Sequence, residues 1–289
     1  MIPIASRLQC CVAGSQKANS SIVTKVLMRE FTNTLNYEFP EIVKLRSSGE
    51  VGRNKCHCRD GVLTVSSGMS ETSAPMELPL VREYFPELSE DTLVHLGRLA
   101  SLVLKWNGRL NLISRKDAEN LEERHLLHSL TLTKVLRPGA GAKFADIGTG
   151  GGFPGLALAI VYPECEFALI DSVVKKIKAV DAMIEELGLT NVRTLPVRAE
   201  SIKEEFDYVT GRAVTALPTF LSWARPLLQP GIAGSPANGV LYFKGTLWRE
   251  ELKGNKVQPA EVWPLDQWVP REYFAEKFLL YFKAPIAGA

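Results

Sequence analysis

Four short clusters have residue types and spacing that could do chemistry. The first is Asp146 followed by Gly148, Gly150, Gly151 and Gly152, then Phe153-Pro154-Gly155. Glycines let a backbone turn sharply and let a ligand approach the main chain, because no Cβ is in the way. Gly150, Gly152 and Gly155 satisfy the G-x-G-x-x-G spacing of a nucleotide-binding turn, which by itself is a weak signal. Asp146 narrows the choice. A dinucleotide site puts a pyrophosphate near this turn and gains nothing from a carboxylate there. A cofactor with a cationic end does gain, and S-adenosyl-L-methionine carries both an ammonium and a sulfonium. The second cluster centres on Asp171, about 20 residues beyond the turn, where a carboxylate can accept bonds from both ribose hydroxyls or cap the helix that follows. The third is Ala199-Glu200, placed either to meet an adenine edge or to begin the solvated acidic stretch Glu200 to Glu205. The fourth is Arg212, which binds a cofactor carboxylate or a substrate phosphate, or else pairs with a nearby acid. Phe153 either walls the cofactor or belongs to the core.

What is missing narrows the methyl acceptor. Exocyclic-amine methyltransferases often carry an [Asn/Asp/Ser]-Pro-Pro-aromatic turn after the fourth strand, where this chain reads TGRAVTALP. Base C5 methylation needs a cysteine nucleophile, and Cys165 falls at the wrong end of the second strand. Cys56-His57-Cys58 lacks the two-residue spacing and the second ligand pair of a zinc site, so no metal is expected. An acceptor that already has a free lone pair needs none of these devices. Guanine N7 is one, bearing no proton at neutral pH. Catalysis then rests on holding two atoms near contact, worth on the order of several kcal/mol in favourable cases. No catalytic side chain is named.

These clusters need elements to position them. From Lys143 strands and helices alternate, as in a parallel sheet covered on both faces. Strands are expected at Phe144–Ile147, Glu166–Asp171, Val192–Val197, Phe206–Thr210 and Val240–Lys244, with two more near Gln267–Val269 and Lys277–Phe282. Helices are expected at Gly155–Val161, Val173–Leu187, Ala216–Leu228 and Trp248–Lys253. Each candidate cluster then stands at a strand's carboxyl end, where open α/β sheets bind ligands. Seven strands with the last pair close together fit a methyltransferase sheet whose final strand enters antiparallel. Upstream, residues 76–140 read as a helical cap. Ser89 caps a helix carrying Leu93, Leu96, Ala100, Val103 and Leu104, and a second helix begins near Ala118.

Residues 1–75 are rich in Ser, Thr and Asn without a sustained period, and Glu30 is the first acid in the chain. They read as a disordered extension, an over-long start or a weak transit-peptide match. The protein is accordingly expected in the cytoplasm, or in an organelle if that segment directs it there. At 46% hydrophobic and 23% charged, the 289 residues are ordinary for a globular protein, and no apolar run approaches the roughly 20 residues of a membrane span. Net charge is only +2, so any basic footprint for nucleic acid must be local. The five cysteines are too scattered for a disulfide framework and are expected as reduced thiols.

The motifs together resemble one family, the ribosomal RNA small subunit methyltransferase G family, also called glucose-inhibited division protein B. The resemblance covers roughly Leu78 to Pro285 and rests on KWNGRLNLISRKD, ERHLLHSL, FADIGTGGGFPGLALAI, LIDSVVKKIK, RAE at Arg198–Glu200, GRAV at Gly211–Val214 and FKG at Phe243–Gly245. It implies a class I S-adenosylmethionine-dependent methyltransferase, Rossmann-like, acting on N7 of a guanine in 16S ribosomal RNA. It carries cofactor contacts to Gly148, Phe153, Ala199, Glu200 and Arg212, with Asp171 beside the ribose and Asp146 and Gly150 in the same site. RNA contacts are expected at Arg124, His125, Arg115 and Lys244, with Arg109, Lys116, Lys175, Lys176 and Lys178 as further basic groups that are otherwise plain surface charge. The partner is then the small ribosomal subunit or its RNA, bound by a monomer with no membrane association. The chain departs from the pattern at His128, where many members carry aspartate, and in the loop Gly231–Gly239.

Overall fold

The structure, a computed structural model, describes residues 74–286. The expectations placed on residues 1–73, including Cys56-His57-Cys58, lie outside the described residues.

A seven-stranded sheet organises the described chain. Its strands are β1 (Lys143–Ile147), β2 (Glu166–Ile170), β3 (Val192–Leu195), β4 (Tyr208–Arg212), β5 (Gly239–Gly245), β6 (Glu261–Pro264) and β7 (Lys277–Lys283). Their spatial order is β3-β2-β1-β4-β5-β7-β6. β1 pairs in parallel with β2 and with β4, and β5 runs parallel to β4. β7 runs antiparallel to both β5 and β6. Chain order reverses beside β1, so the carboxyl ends of β1, β2 and β4 border the crevice where such sheets take ligands. One expected strand moves. The penultimate strand is Glu261–Pro264, and Leu265–Gln267 is a 3₁₀ turn. Leu265 and Val269 are both fully buried at a spacing of four, which suits a helical turn and not an alternating strand.

The sheet is apolar on both faces, as a covered parallel sheet must be. Phe144, Phe167 and Tyr208 stack across β2, β1 and β4 on one face, with ring centroids 4.7 and 5.0 Å apart. On the other face Tyr242 stacks on Phe220 at 3.9 Å. Helices α5 (Gly155–Val161), α6 (Val174–Leu187), α7 (Leu217–Ala224) and α8 (Trp248–Glu251) cover these faces. The first two begin and end as their sequences predict: Gly155 opens α5, and Gly188, at φ +69°, closes α6.

Upstream lie α1 (Pro79–Tyr84), α2 (Glu90–Asn107) and α3 (Arg115–Ala118). The Ser89 hydroxyl accepts from Thr92 N at 3.2 Å and starts α2 as expected. The following helix is irregular. Glu122–Leu127 is π-helical, His128–Leu130 is α-helical and Thr131–Lys134 is 3₁₀. Leu96, Leu99, Leu126 and Leu130 share one apolar cluster with Leu156, Leu158 and Phe144, so the upstream helices and the first sheet face bury the same core. The loop at Gly231–Gly239 is pinned: Asn238 Oδ1 accepts from Ala233 N at 2.7 Å and its Nδ2 donates to Asp207 at 2.8 Å.

Candidate functional site

The glycine turn is shaped by two constraints. Gly148 has φ +70°, and a Cβ there would meet the Val214 methyls at 2.7 Å, so the turn needs both the left-handed backbone and the missing side chain. Gly148 N and Thr149 N donate to Ile170 O at 2.8 and 3.1 Å, tying the turn to the end of β2. A Cβ on Gly155 would lie 2.1 Å from Leu169 and 2.8 Å from Asp146, so α5 approaches the sheet as closely as backbone allows.

Two cavities meet at this turn. The smaller, about 270 Å³, is lined by Asp171, Ala199, Glu200, Val197 and Trp223 among others. The larger, about 630 Å³, includes Phe153, Arg212, His125, Phe243 and Tyr273. Gly148, Lys176 and Ala213 line both, so the two are parts of one cleft along the carboxyl ends of β1, β2 and β4. Ala213 holds a left-handed backbone, φ +55°, where few residues other than glycine sit without strain.

Gly148, Gly150, Phe153, Asp171, Ala199, Glu200 and Arg212 all border that cleft. Asp171 combines two functions: Oδ1 accepts from Val173 N at 2.8 Å ahead of α6, and Oδ2 accepts from Gly150 N at 3.1 Å in the turn. Phe153 is likewise both wall and core, 3% exposed yet facing the cavity between His125 and Arg212.

Asp146 does not border either cavity. It is 1% exposed, with Oδ2 accepting from Gly155 N at 3.0 Å and Oδ1 from Thr210 at 3.2 Å. Burial pushes its carboxyl up to about 6. The residue expected to face a cationic ligand instead fastens the start of α5 to β1 and β4.

The basic residues do not form one surface. Arg124 pairs with Asp117 at 2.9 Å and lies over the Tyr273 ring. His125 is 9% exposed, and burial, with Arg212 alongside, pulls its imidazole down to about 3. The ring lines the cleft beside Arg212, where a neutral imidazole would offer a phosphate no charge. Lys244 is half-buried and bonds to Glu251 at 2.7 Å. Arg115 is exposed at the start of α3, away from the cleft floor. His128 is buried too, with Nδ1 3.1 Å from the Tyr273 hydroxyl and its ring edge-on to Phe243.

Other cleft residues were not legible as such. Leu112 and Ile113 pack over Gly151, and Asn107 Oδ1 holds their loop by accepting from Ile113 N at 3.0 Å. The Asn-Leu-Ile run within the upstream motif was their signal. Tyr273, Glu276 and Lys277 reach the cleft from the tail, where the sequence pattern places β7 but misplaces β6.

The strand order with its reversed seventh strand, and the glycine turn closing on a cleft at the switch point, define a class I, Rossmann-like methyltransferase fold. Among solved structures, the chain resembles a SAM dependent methyltransferase from Aquifex aeolicus at 15% identity and TM-score 0.44, over 63% of this chain and 96% of that one. The family model described as rRNA small subunit methyltransferase G matches residues 93–261. The curated relative of that name from Christiangramia forsetii is 39% identical over 74% of this chain and 100% of its own length. The one from Porphyromonas gingivalis is 40% identical over 72% of this chain and 95% of its own. The chain belongs to the ribosomal RNA small subunit methyltransferase G family.

Proposed function

We propose that the protein transfers the methyl group of S-adenosyl-L-methionine to N7 of a guanine in small-subunit ribosomal RNA. The observation that carries this reading is the pairing of a two-chambered cleft with a buried histidine whose ring nitrogen is already taken by Arg212. Arg212 Nη2 lies 2.6 Å from His125 Nδ1, and a guanidinium can only donate. His125 therefore keeps its proton on Nε2 and has no lone pair for a substrate proton. Such a site suits an acceptor that loses no proton.

The residues fit the donor. Asp171 uses two oxygens on two backbone N–H groups, and a carboxylate has about four acceptor positions, so both ribose hydroxyls find acceptors. Ala199 and Glu200 border the same chamber and suit an adenine edge. Gly148 and Gly150 present backbone without side chains, Phe153 walls the junction, and Arg212 supplies a cation for the amino-acid carboxylate. Asp146 acts at one remove, by fixing the turn. When bound, the donor supplies an electrophilic methyl carbon. That carbon would be taken by the guanine N7 lone pair with no proton to remove, so the residues named here would only bind and orient the two partners.

For RNA, Arg115, Lys116 and Lys175 are exposed, and Lys176 and Lys277 line the cleft, so phosphate contacts are assigned to these rather than to His125 or Lys244. No helix among the described residues is long and apolar enough to cross a membrane, and the proposal carries a cytoplasmic monomer as the form that meets the RNA. The test incubates the protein and methyl-labelled donor with small subunits and with naked small-subunit RNA, then maps the label. N7-methylguanine in either is the expected outcome. Label on another atom sinks the N7 assignment, and no label in either substrate sinks the reading altogether.

A further inference from the structure

The half-buried cation Arg212 has an unusual set of partners. Nη1 donates to the Arg124 carbonyl at 2.8 Å and Nη2 to His125 Nδ1 at 2.6 Å. Both partners are neutral and sit on consecutive residues of the π-helical stretch, a geometry that recurs at functional sites. The Phe153 ring closes the assembly, 5.2 Å from His125 and 5.7 Å from the guanidinium. Among the described residues no carboxylate forms an ion pair with Arg212. Of the acids lining the larger chamber, Asp117 bonds to Arg124 and Ser114, Glu251 bonds to Lys244, and Glu276 is exposed. A desolvated guanidinium held in place but left without a counter-ion is poised for an anion.

We propose that His125 is a positioning residue of the methyl-donor site, whose Nδ1 aims the Arg212 guanidinium at the donor's carboxylate. The inference rests on the reading of the cleft as a donor site. The chemistry explains why a neutral acceptor stands there. A carboxylate at position 125 would hold Arg212 equally well, but it would also neutralise it and compete with the incoming anion. An imidazole supplies direction without supplying charge. His125 Nε2 is buried without a partner on the far side of the ring, so the residue is committed to Arg212 through one nitrogen.

The sharpest test compares two isosteric replacements. Asn places an acceptor near the position of Nδ1 and carries no charge, whereas Asp places the same acceptor with a charge. Donor affinity is measured by calorimetry on the full chain, and affinity for naked small-subunit RNA by filter binding. His125→Asn is expected within about threefold of wild type for the donor. His125→Asp and His125→Phe are expected to weaken it by about tenfold to a hundredfold, the range for a lost bond to a charged group. RNA affinity is expected unchanged in all three. In an Arg212→Ala background the His125 replacements should cause no further loss of donor affinity. Equal donor affinity in all variants overturns the proposal, as does equal weakening by Asn and Asp, or loss of RNA affinity with donor affinity intact. If His125→Phe does not fold, the Asn and Asp pair decides. A wild-type protein that binds no donor fails the functional reading and this inference together. One that binds donor but methylates no ribosomal RNA fails only the acceptor assignment.

Discussion

Single residues in this cleft and just beneath it are tuned by burial more than by neighbouring charge, and that makes their pH behaviour predictable. Burial pulls His125 down to about 3 and His128 well below its ordinary value, while it pushes Asp146 up to about 6. Below pH 6.5 the unfolded chain binds protons on both histidines that the folded chain refuses, so stability falls as pH drops through that range. Asp146 works the other way. Between its folded value near 6 and its ordinary 3.8, the folded chain keeps a proton that the unfolded chain has released, so acidification stabilises. Two histidines oppose one aspartate, and net stability should decline on the acid side. Asp146→Asn removes the opposing contribution. The variant should therefore lose about 2 kcal/mol more than wild type between pH 7 and 4.5, a difference of one to two pKa units. Urea unfolding at both values checks this, and parallel losses would contradict it. The sequence placed Asp146 correctly at the end of β1, but not its neighbours. That the carboxylate turns inward depends on how closely Gly155 brings α5 to the strand, a tertiary distance that no local pattern carries.

Elements show the same division between what spacing encodes and what packing decides. α5 and α6 were legible because their punctuation is local: Gly155 and Gly188 bound them in sequence as in space. β6 was not. Its four residues pair along one side only, with β7, and end at Pro264, so neither length nor alternation marks it. Nor could the π-helical stretch be read, since ERHLLHSL has ordinary helical spacing and the wider turn is visible only in the structure. The turn-and-helix unit nonetheless makes a firm prediction at this scale. Replacing Gly155 by Ala puts a methyl 2.1 Å from Leu169 and 2.8 Å from the Asp146 carboxylate, both in fully packed surroundings. Overpacking of this kind costs about 1–3 kcal/mol. Because α5 must retreat from the strand, the glycine turn shifts with it. Gly155→Ala should lower the urea midpoint and weaken donor binding together, and a variant that is destabilised yet binds donor as wild type would separate the turn from the helix it precedes.

Across the whole described chain, the question is whether residues 76–140 form a cap added to a methyltransferase or part of its core. The sequence alone favours a boundary, since the helical period stops at Arg137-Pro138-Gly139 before the first strand. Packing argues for continuity. Arg271 in the tail bonds to Glu123, and Arg98 donates to the Glu186 carbonyl at the end of α6 at 2.7 Å. Leu126, Leu127 and Leu130 are fully buried in the cluster that also holds Leu156, Leu158, Leu279 and Phe274. Cutting at residue 140 would uncover that cluster and leave Arg212 without the Arg124 carbonyl and His125. Burying a single Leu stabilises by about 1.5–3 kcal/mol, so baring several is comparable with the whole stability of a domain. A fragment of residues 141–289 should therefore fail to fold as a soluble monomer, elute as aggregate or bind a hydrophobic dye, and lack donor affinity. A monodisperse fragment with a cooperative thermal transition would show instead that the upstream helices are a true cap. The expected failure matters for function as well as folding, because the same helices present Arg115 and Lys116 outward while holding Arg212 inward. With a net charge of only +2, the proposed RNA contacts must come from such local groups, and here they lie in the same upstream segment as the two groups that hold Arg212.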